Sequence, residues 1–188
     1  VLHVLDVSAP MIAGYASRSR ALINAQRSLG LEPVVLTSVR HPDPREELEE
    51  IDGIRHYRTW KPRPPARRVG LEIYHLSRRI LEVARRERCD LIHGHSPVLS
   101  GIPAWLAARR LGLPVVYEVR SLWEDAAAER GATHERAIRY RATRQAETWL
   151  AAHADALVCI CEGLRNEFVD RGIPAHHVRV VPRTSAVL

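Results

Sequence analysis

Lysine is nearly missing from this chain: Lys61 stands alone among 28 Lys and Arg residues. Aromatic residues are scarce at 5%, with a single Phe. The four Trp fall at helix or loop positions without interleaved basic residues. That removes the stacking platform on which single-stranded nucleic acid is held. The pI of about 9.8 is therefore not read as a nucleic-acid signature. Cysteine is sparse and odd in number, with Cys89, Cys159 and Cys161 only. This does not suggest a disulfide framework, and a reducing cytoplasm is the expected setting. No apolar run approaches the roughly 20 residues of a membrane-spanning helix. Val1 to Val7 has neither the basic flank nor the cleavage site of a secretory signal. A glycine-rich GxGxxG loop is also lacking, as are internal repeats and linkers.

What remains is a chain of 188 residues, 46% hydrophobic and 27% charged, with a formal charge of +6. One domain of ordinary to large size is expected. The basic balance admits an anionic membrane surface or a phosphorylated substrate as partner. Short apolar runs at Val1–Val7, Pro33–Ser38, Ile51–Trp60, Asp90–His93, Pro114–Val119, Ala156–Cys161 and Val178–Val181 predict strands. Between them lie helical patterns. One starts near Ser17 with Leu22, Ala25 and Leu29 on one face. The next places Val69, Ile73, Leu76, Ile80 and Val83 in a stripe. A third runs Ser100–Leu111 with Ile102, Trp105 and Leu106 inward. A fourth runs His134–His153 with Ile138, Ala142, Trp149 and Leu150 inward, and the last carries Leu164 and Phe168. His41–Glu50 reads as a surface loop, Lys61–Arg68 is too rich in Pro and Arg for regular structure, and Arg120–Gly131 is polar and irregular. Alternating strands and helices predict an α/β fold: a Rossmann-like, open, mostly parallel sheet with helices on both faces.

Ligands in such sheets sit outside the carboxyl ends of the strands, and three strand exits carry chemistry. The first holds Gly14, Tyr15 and Arg18, where a close backbone approach and a helix N-terminus would suit a diphosphate; a plain βα turn reads equally well. The second holds His93 and His95. Two histidines two apart could suggest a metal, but spacing places no third ligand. His93 ends an apolar strand and is expected to pack. His95 is expected just past the strand, in the turn, where a function is favoured. The third runs Tyr117-Glu118-Val119-Arg120-Ser121-Leu122-Trp123-Glu124-Asp125. It either binds and stacks on a sugar or forms an internal Arg–carboxylate network.

His95-Ser96-Pro97 after an apolar strand resembles the histidine turn of the family-four retaining glycosyltransferases. Gly14-Tyr15-Ala16-Ser17-Arg18 resembles a reduced form of their first glycine loop. Tyr117-Glu118-Val119-Arg120 with Trp123-Glu124-Asp125 is similar to members acting in bacterial exopolysaccharide assembly. Ala154-Asp155-Ala156 through Cys161-Glu162-Gly163-Leu164, then Arg171-Gly172-Ile173-Pro174 and Val180-Val181-Pro182, resembles the closing section of the family's amino-terminal domain.

The resemblance implies one half of a GT-B enzyme. Residues 1–182 would form the acceptor-side domain and 183–188 a tail or the start of an interdomain linker. A donor-binding carboxy-terminal domain would lie elsewhere, and this chain alone would be inactive. The implied reaction moves a sugar from a nucleoside-diphosphate sugar to a polysaccharide or lipid-linked acceptor, without metal or other cofactor. His95 would be catalytic; Gly14, Tyr15, Arg18, Glu118, Arg120 and Glu124 would bind substrate. Arg55, Arg58, Lys61, Arg63, Arg67, Arg68, Arg78, Arg79, Arg85 and Arg86 suggest a basic face towards an anionic membrane. The alternative is a non-catalytic nucleotide-binding or scaffold domain.

Overall fold

The apolar runs of the sequence line up as one eight-stranded sheet in the computed structural model, which describes residues 1–11, 14–42, 46–60, 69–122 and 138–182, the side chain of Arg139 excepted. In chain order the elements are β1 (Leu2–Leu5), α1 (Gly14–Ser28), β2 (Val34–Thr37), β3 (Leu48–Ile51), β4 (Ile54–Tyr57), α2 (Val69–Arg86), β5 (Ile92–His95), α3 (Val98–Leu111), β6 (Val115–Val119), α4 (Ile138–His153), β7 (Ala156–Cys159), α5 (Glu162–Asp170), a 3-10 turn at Ala175–His177 and β8 (Val178–Val180). The strand order is β3-β4-β2-β1-β5-β6-β7-β8. Every pairing is parallel except the β3–β4 hairpin at the edge. After β1 the chain moves outward on one side through β2; at β5 it returns to pair on the other side of β1. The order reverses between β1 and β5, and the crevice at the carboxyl ends of those two strands is where such sheets bind ligands.

Strand side chains alternate between faces, and the two faces differ sharply. Leu2, Val4, Ile92, Tyr117 and Val119 join Leu76 and Ile80 of α2, Ala104 and Ala108 of α3 and Leu150 of α4 in the main core. Full burial of each large aliphatic is worth about 1.5–3 kcal/mol. α3 lies close to β5 because Gly94 and Gly101 leave room for it. A Cβ on Gly101 would collide with Leu150 and the Tyr117 ring. On the opposite face the apolar cluster among the described residues is small: Leu5, Ile23, Val35 and Ile54. The rest of that face holds His3, His93, His95 and Glu118, all buried. Among the described residues no helix is long and apolar enough to cross a membrane.

Several expectations shift. α1 begins at Gly14, not Ser17, and buries Ala16, Ser19 and Ile23. Leu29 is exposed. Apolar residues lie around much of α1, and the face that wins is the one whose small polar Ser19 fits over the buried charges. The acidic stretch read as a loop contains β3, joined to β4 through Asp52 and Gly53, both at positive φ, the conformation of a tight hairpin turn. In α3 the small residues Gly101, Ala104, Ala107 and Ala108 face inward, while Ile102, Trp105 and Leu106 are only half-buried. In α4, Ile138 is 83% exposed and Trp149 is also exposed. Leu150 faces inward as expected, and Glu147 and Ala151 join it, with Glu147 accepting the Tyr117 hydroxyl proton.

The basic face is also revised. Arg58 is completely buried. It donates to Glu49 Oε2 at 2.6 Å, Ser8 Oγ at 2.6 Å and the Ala9 carbonyl at 2.6 Å. It therefore ties β4 to β3 and to the β1 exit instead of facing solvent. Arg55 pairs with Glu87, and Arg79 with Glu47 and Glu82. Lys61, Arg63, Arg67 and Arg68 lie outside the described residues.

Candidate functional site

The site is built where β1, β5 and β6 end. Parallel register sets His3 beside His93 and His95 beside Glu118, so four polar side chains stack on one face. The expectation for His95 changes here: it is the last residue of β5, not a turn residue, and it is 1% exposed. Its ring stacks on His93 with centroids 4.2 Å apart.

The proton positions follow from one donor that cannot accept. Arg120 Nη2 lies 2.8 Å from His95 Nδ1. A guanidinium only donates, so Nδ1 accepts and the ring proton sits on Nε2. That Nε2 is 3.0 Å from His3 Nδ1, to which it donates. His3 then carries its own proton on Nε2, 2.7 Å from Gln26 Oε1. The result is a one-way relay, Arg120 to His95 to His3 to Gln26, in which both histidines are neutral. Burial depresses the pKa of His3, helped by the His93 ring, to about 3. Burial and then Arg120 hold His95 well below the ordinary histidine value.

His3, His93 and His95 offer ring nitrogens within 4.8 Å of one another. The sheet thus supplies from β1 the third histidine that spacing along the sequence did not place. The ring nitrogens of His3 and His95 are already taken up by each other, by Gln26 and by Arg120, whose guanidinium stands 2.8 Å from His95 Nδ1. A cation would have to break the relay and meet that charge, so the cluster fits a hydrogen-bond relay and not a metal centre.

Glu118 anchors the charged half. Its Oε1 accepts from Arg18 Nε at 2.8 Å and Arg120 Nε at 2.9 Å. Its Oε2 is 3.4 Å from His93 Nε2. Burial opposes its charge, yet His93 beside Oε2 and the Arg120 guanidinium on Oε1 hold the carboxyl far below the usual carboxylate range. Arg120 also donates through Nη1 to the Tyr15 carbonyl at 2.9 Å and Ser19 Oγ at 2.8 Å. Arg18 donates to the carbonyls of Val181 and Pro182 at 2.8 and 3.2 Å. The arginines bind α1 to β6 and to the chain leaving β8. Of the two readings open for the Glu118–Arg120 loop, these residues form the internal Arg–carboxylate network.

Beside this network is a cavity of about 190 Å³ lined by Asp6, Tyr15, Arg40, His95, Ser96 and Arg120, among others. Asp6 Oδ1 accepts from Ser38, Arg40 and Ser100. Tyr15 lines the cavity with its hydroxyl 2.6 Å from Ser121 Oγ. Gly14 is the exposed first residue of α1. The structure brings Tyr15, Arg18, His95, Glu118 and Arg120 together. Glu124 lies outside the described residues, as do Trp123 and Asp125. Sequence reasoning missed His3, Gln26, Ser19, Asp6 and Arg40. The signal for His3 was a polar residue at the centre of an otherwise apolar strand.

Residues 13–184 match the glycosyl transferase 4-like domain. The chain belongs to that family. No curated protein matches it at a significant level. Among solved structures it is similar to the sucrose-phosphate synthase of Thermosynechococcus elongatus, with 15% identity and TM-score 0.70 over 96% of this chain and 47% of that one. It is also similar to the UDP-GlcNAc 2-epimerase of Methanocaldococcus jannaschii, with 13% identity and TM-score 0.60, covering 96% and 45%. An Anabaena protein solved with UDP and glucose gives 14% identity and TM-score 0.60, covering 96% and 43%. The chain spans less than half the length of these three structures. Its sheet has the fold of one half of a GT-B glycosyltransferase.

Proposed function

We propose that this domain is the acceptor-side half of a retaining GT-B glycosyltransferase. It would move a sugar from a nucleoside-diphosphate sugar to a saccharide or lipid-linked acceptor, in a pathway such as exopolysaccharide assembly. The observation that carries the reading is the cavity at the β1–β5 switch point, walled by Tyr15, His95 and Arg120, in a chain of this family. A second Rossmann-like half would grip most of the donor and close over it. In transfer with retention, negative charge grows on the leaving diphosphate. The N–H groups at the Gly14 end of α1 and the nearby guanidinium of Arg120 are suited to meet it.

The relay supports a defined part for His95. Both ring nitrogens are occupied by protein groups, which favours a positioning part for it over that of acid or base. It meets the transferred sugar through its ring edge and main chain and holds Arg120 in place. Arg18 and Glu118 support this wall from behind, their polar atoms already spent on protein.

The test uses the coding sequence extended beyond Leu188. The extended protein is expected to release nucleoside diphosphate from a nucleotide sugar when acceptor is present. His95→Ala should lower turnover at least tenfold, about 1.4 kcal/mol of transition-state stabilisation. The 188-residue chain alone should bind nucleotide sugar no better than about millimolar. Micromolar binding to it would place the donor site in this half and overturn the assignment.

A further inference from the structure

A second cavity, of about 1130 Å³, opens along the outer face of α2 from the carboxyl end of β4. Its walls include Thr59, Trp60, Tyr74, Arg78, Arg85 and Arg110. We propose that this groove binds an anionic saccharide, its rings against Trp60 and Tyr74 and its carboxylate or phosphate groups on Arg78, Arg85 and Arg110. The inference rests on the glycosyl-transfer reading only in taking this saccharide to be the acceptor.

Four observations converge. First, Trp60 is 52% exposed and Tyr74 is 48% exposed; broad aromatic faces left open inside a concavity mark a binding surface. Second, among the described residues Arg78 has only the Tyr74 hydroxyl, at 3.3 Å, as a side-chain hydrogen-bond partner, and neither Arg85 nor Arg110 makes an ion pair. Arg79 on the same wall shows what satisfaction looks like, with Glu47 at 2.5 Å and Glu82 at 2.8 Å. Three guanidinium forks without a carboxylate suit planar, bidentate anions. Third, the Thr59 hydroxyl oxygen is buried without a hydrogen-bond partner among the described residues. A buried polar group left so is costly unless something supplies the bond.

Fourth, the groove adjoins the reaction site. Glu72, in the first turn of α2, forms an ion pair with Arg40, which lines the cavity beside His95. Tyr74 and His75 follow directly and begin the groove. A chain laid along α2 would therefore lead towards the His95 cavity. The volume exceeds the roughly 300–1000 Å³ usual for a drug-sized ligand, which suits several sugar rings better than one. A concave, aromatic-walled site also favours a saccharide over a flat bilayer.

The experiment is calorimetry on the 188-residue chain with trigalacturonate, its fully methyl-esterified form and inorganic pyrophosphate, beside co-sedimentation with phosphatidylglycerol vesicles. Trigalacturonate is expected to bind with a Kd below 1 mM in low salt, about tenfold or more tighter than the neutral ester or pyrophosphate. The double variant Arg78→Gln/Arg110→Gln should weaken it at least tenfold with an unchanged thermal melt, and Trp60→Ala should weaken it while leaving the acid–ester difference in place. Equal affinity for acid and ester, pyrophosphate binding as tightly as the saccharide, or vesicle binding lost in the double variant without any saccharide binding would each overturn the proposal. No donor is present in these measurements, so they stand or fall apart from the turnover assay on the extended protein.

Discussion

Arg120 Nη2 donates to His95 Nδ1 across 2.8 Å, and that bond fixes the tautomer of two histidines. Because the guanidinium cannot accept, His95 must be the Nε2–H form, and His3 must follow it. The expected nitrogen NMR signature is Nε2–H for both rings from pH 6 to 8, with no imidazolium signal. Arg120→Gln should mix the tautomers, since a neutral amide can present either a donor or an acceptor. Finding His95 protonated on Nδ1 in the unaltered protein would refute the relay.

Acid should destabilise the fold earlier than carboxylate titration explains. Burial lowers His3 to about 3, and burial with the Arg58 charge lowers His41 and His56 to about 4. An unfolded histidine takes up its proton near 6.5. The unfolded state thus binds more protons below that pH. Stability is complete above about pH 6.5 and declines as the pH falls towards 4, by on the order of 1 kcal/mol per pH unit for each histidine. Urea midpoints at pH 7.5, 6.5, 5.5 and 4.5 measure this. A flat profile between 7.5 and 5.5 is the outcome that sinks it.

Glu118→Gln should be among the most damaging isosteric changes in the chain. It leaves the Arg18 and Arg120 side chains, 9% and 3% exposed, without their shared carboxylate. Removing one partner of a buried ionic group costs about 3–5 kcal/mol. Chemical denaturation of the variant should show a loss in that range. A loss under about 1 kcal/mol would mean that solvent or another anion reaches the guanidiniums.

Gly101→Ala tests the seat of α3. The added methyl would meet Leu150 and the Tyr117 ring, and that ring is held by its hydroxyl bond to Glu147. Overpacking of this kind costs about 1–3 kcal/mol. Gly112, just past α3 at φ 66° with open space where a side chain would stand, should respond to the same substitution through backbone strain alone. A lowered melting temperature is expected for Gly101→Ala, and wild-type melting would show that α3 can shift outward freely.

The fold class was legible because strand and helix periodicities are local. Leu76, Ile80 and Val83 recur at helical spacing and do face the core. Gly112 at φ 66° closes α3 where the sequence places its end. Val115–Val119 and Ala156–Cys159 are strands where short apolar runs say so. Local pattern failed where a helix has more than one plausible face. Ile138 of α4 is apolar yet exposed, while Ser19 of α1 and Glu147 of α4 are polar yet buried; Leu29 is exposed because α1 ends one residue before it. Buried partners decide such cases: Arg120 for Ser19 and Tyr117 for Glu147.

The sequence by itself determined the alternation that makes a parallel sheet, the strand exits at Gly14, His95 and Glu118, and the family to which those motifs belong. Only the tertiary structure decided what the exits do. It set β1 between β2 and β5, bringing His3 from 92 positions away onto His95. It turned Arg58 from a surface cation into a buried tie and closed Arg18 and Arg120 on one carboxylate. The physical reason is that a charge or a ring nitrogen carries no trace in its sequence neighbours of the partner that will satisfy it. That partner is fixed by strand register and helix placement, which the whole chain settles together.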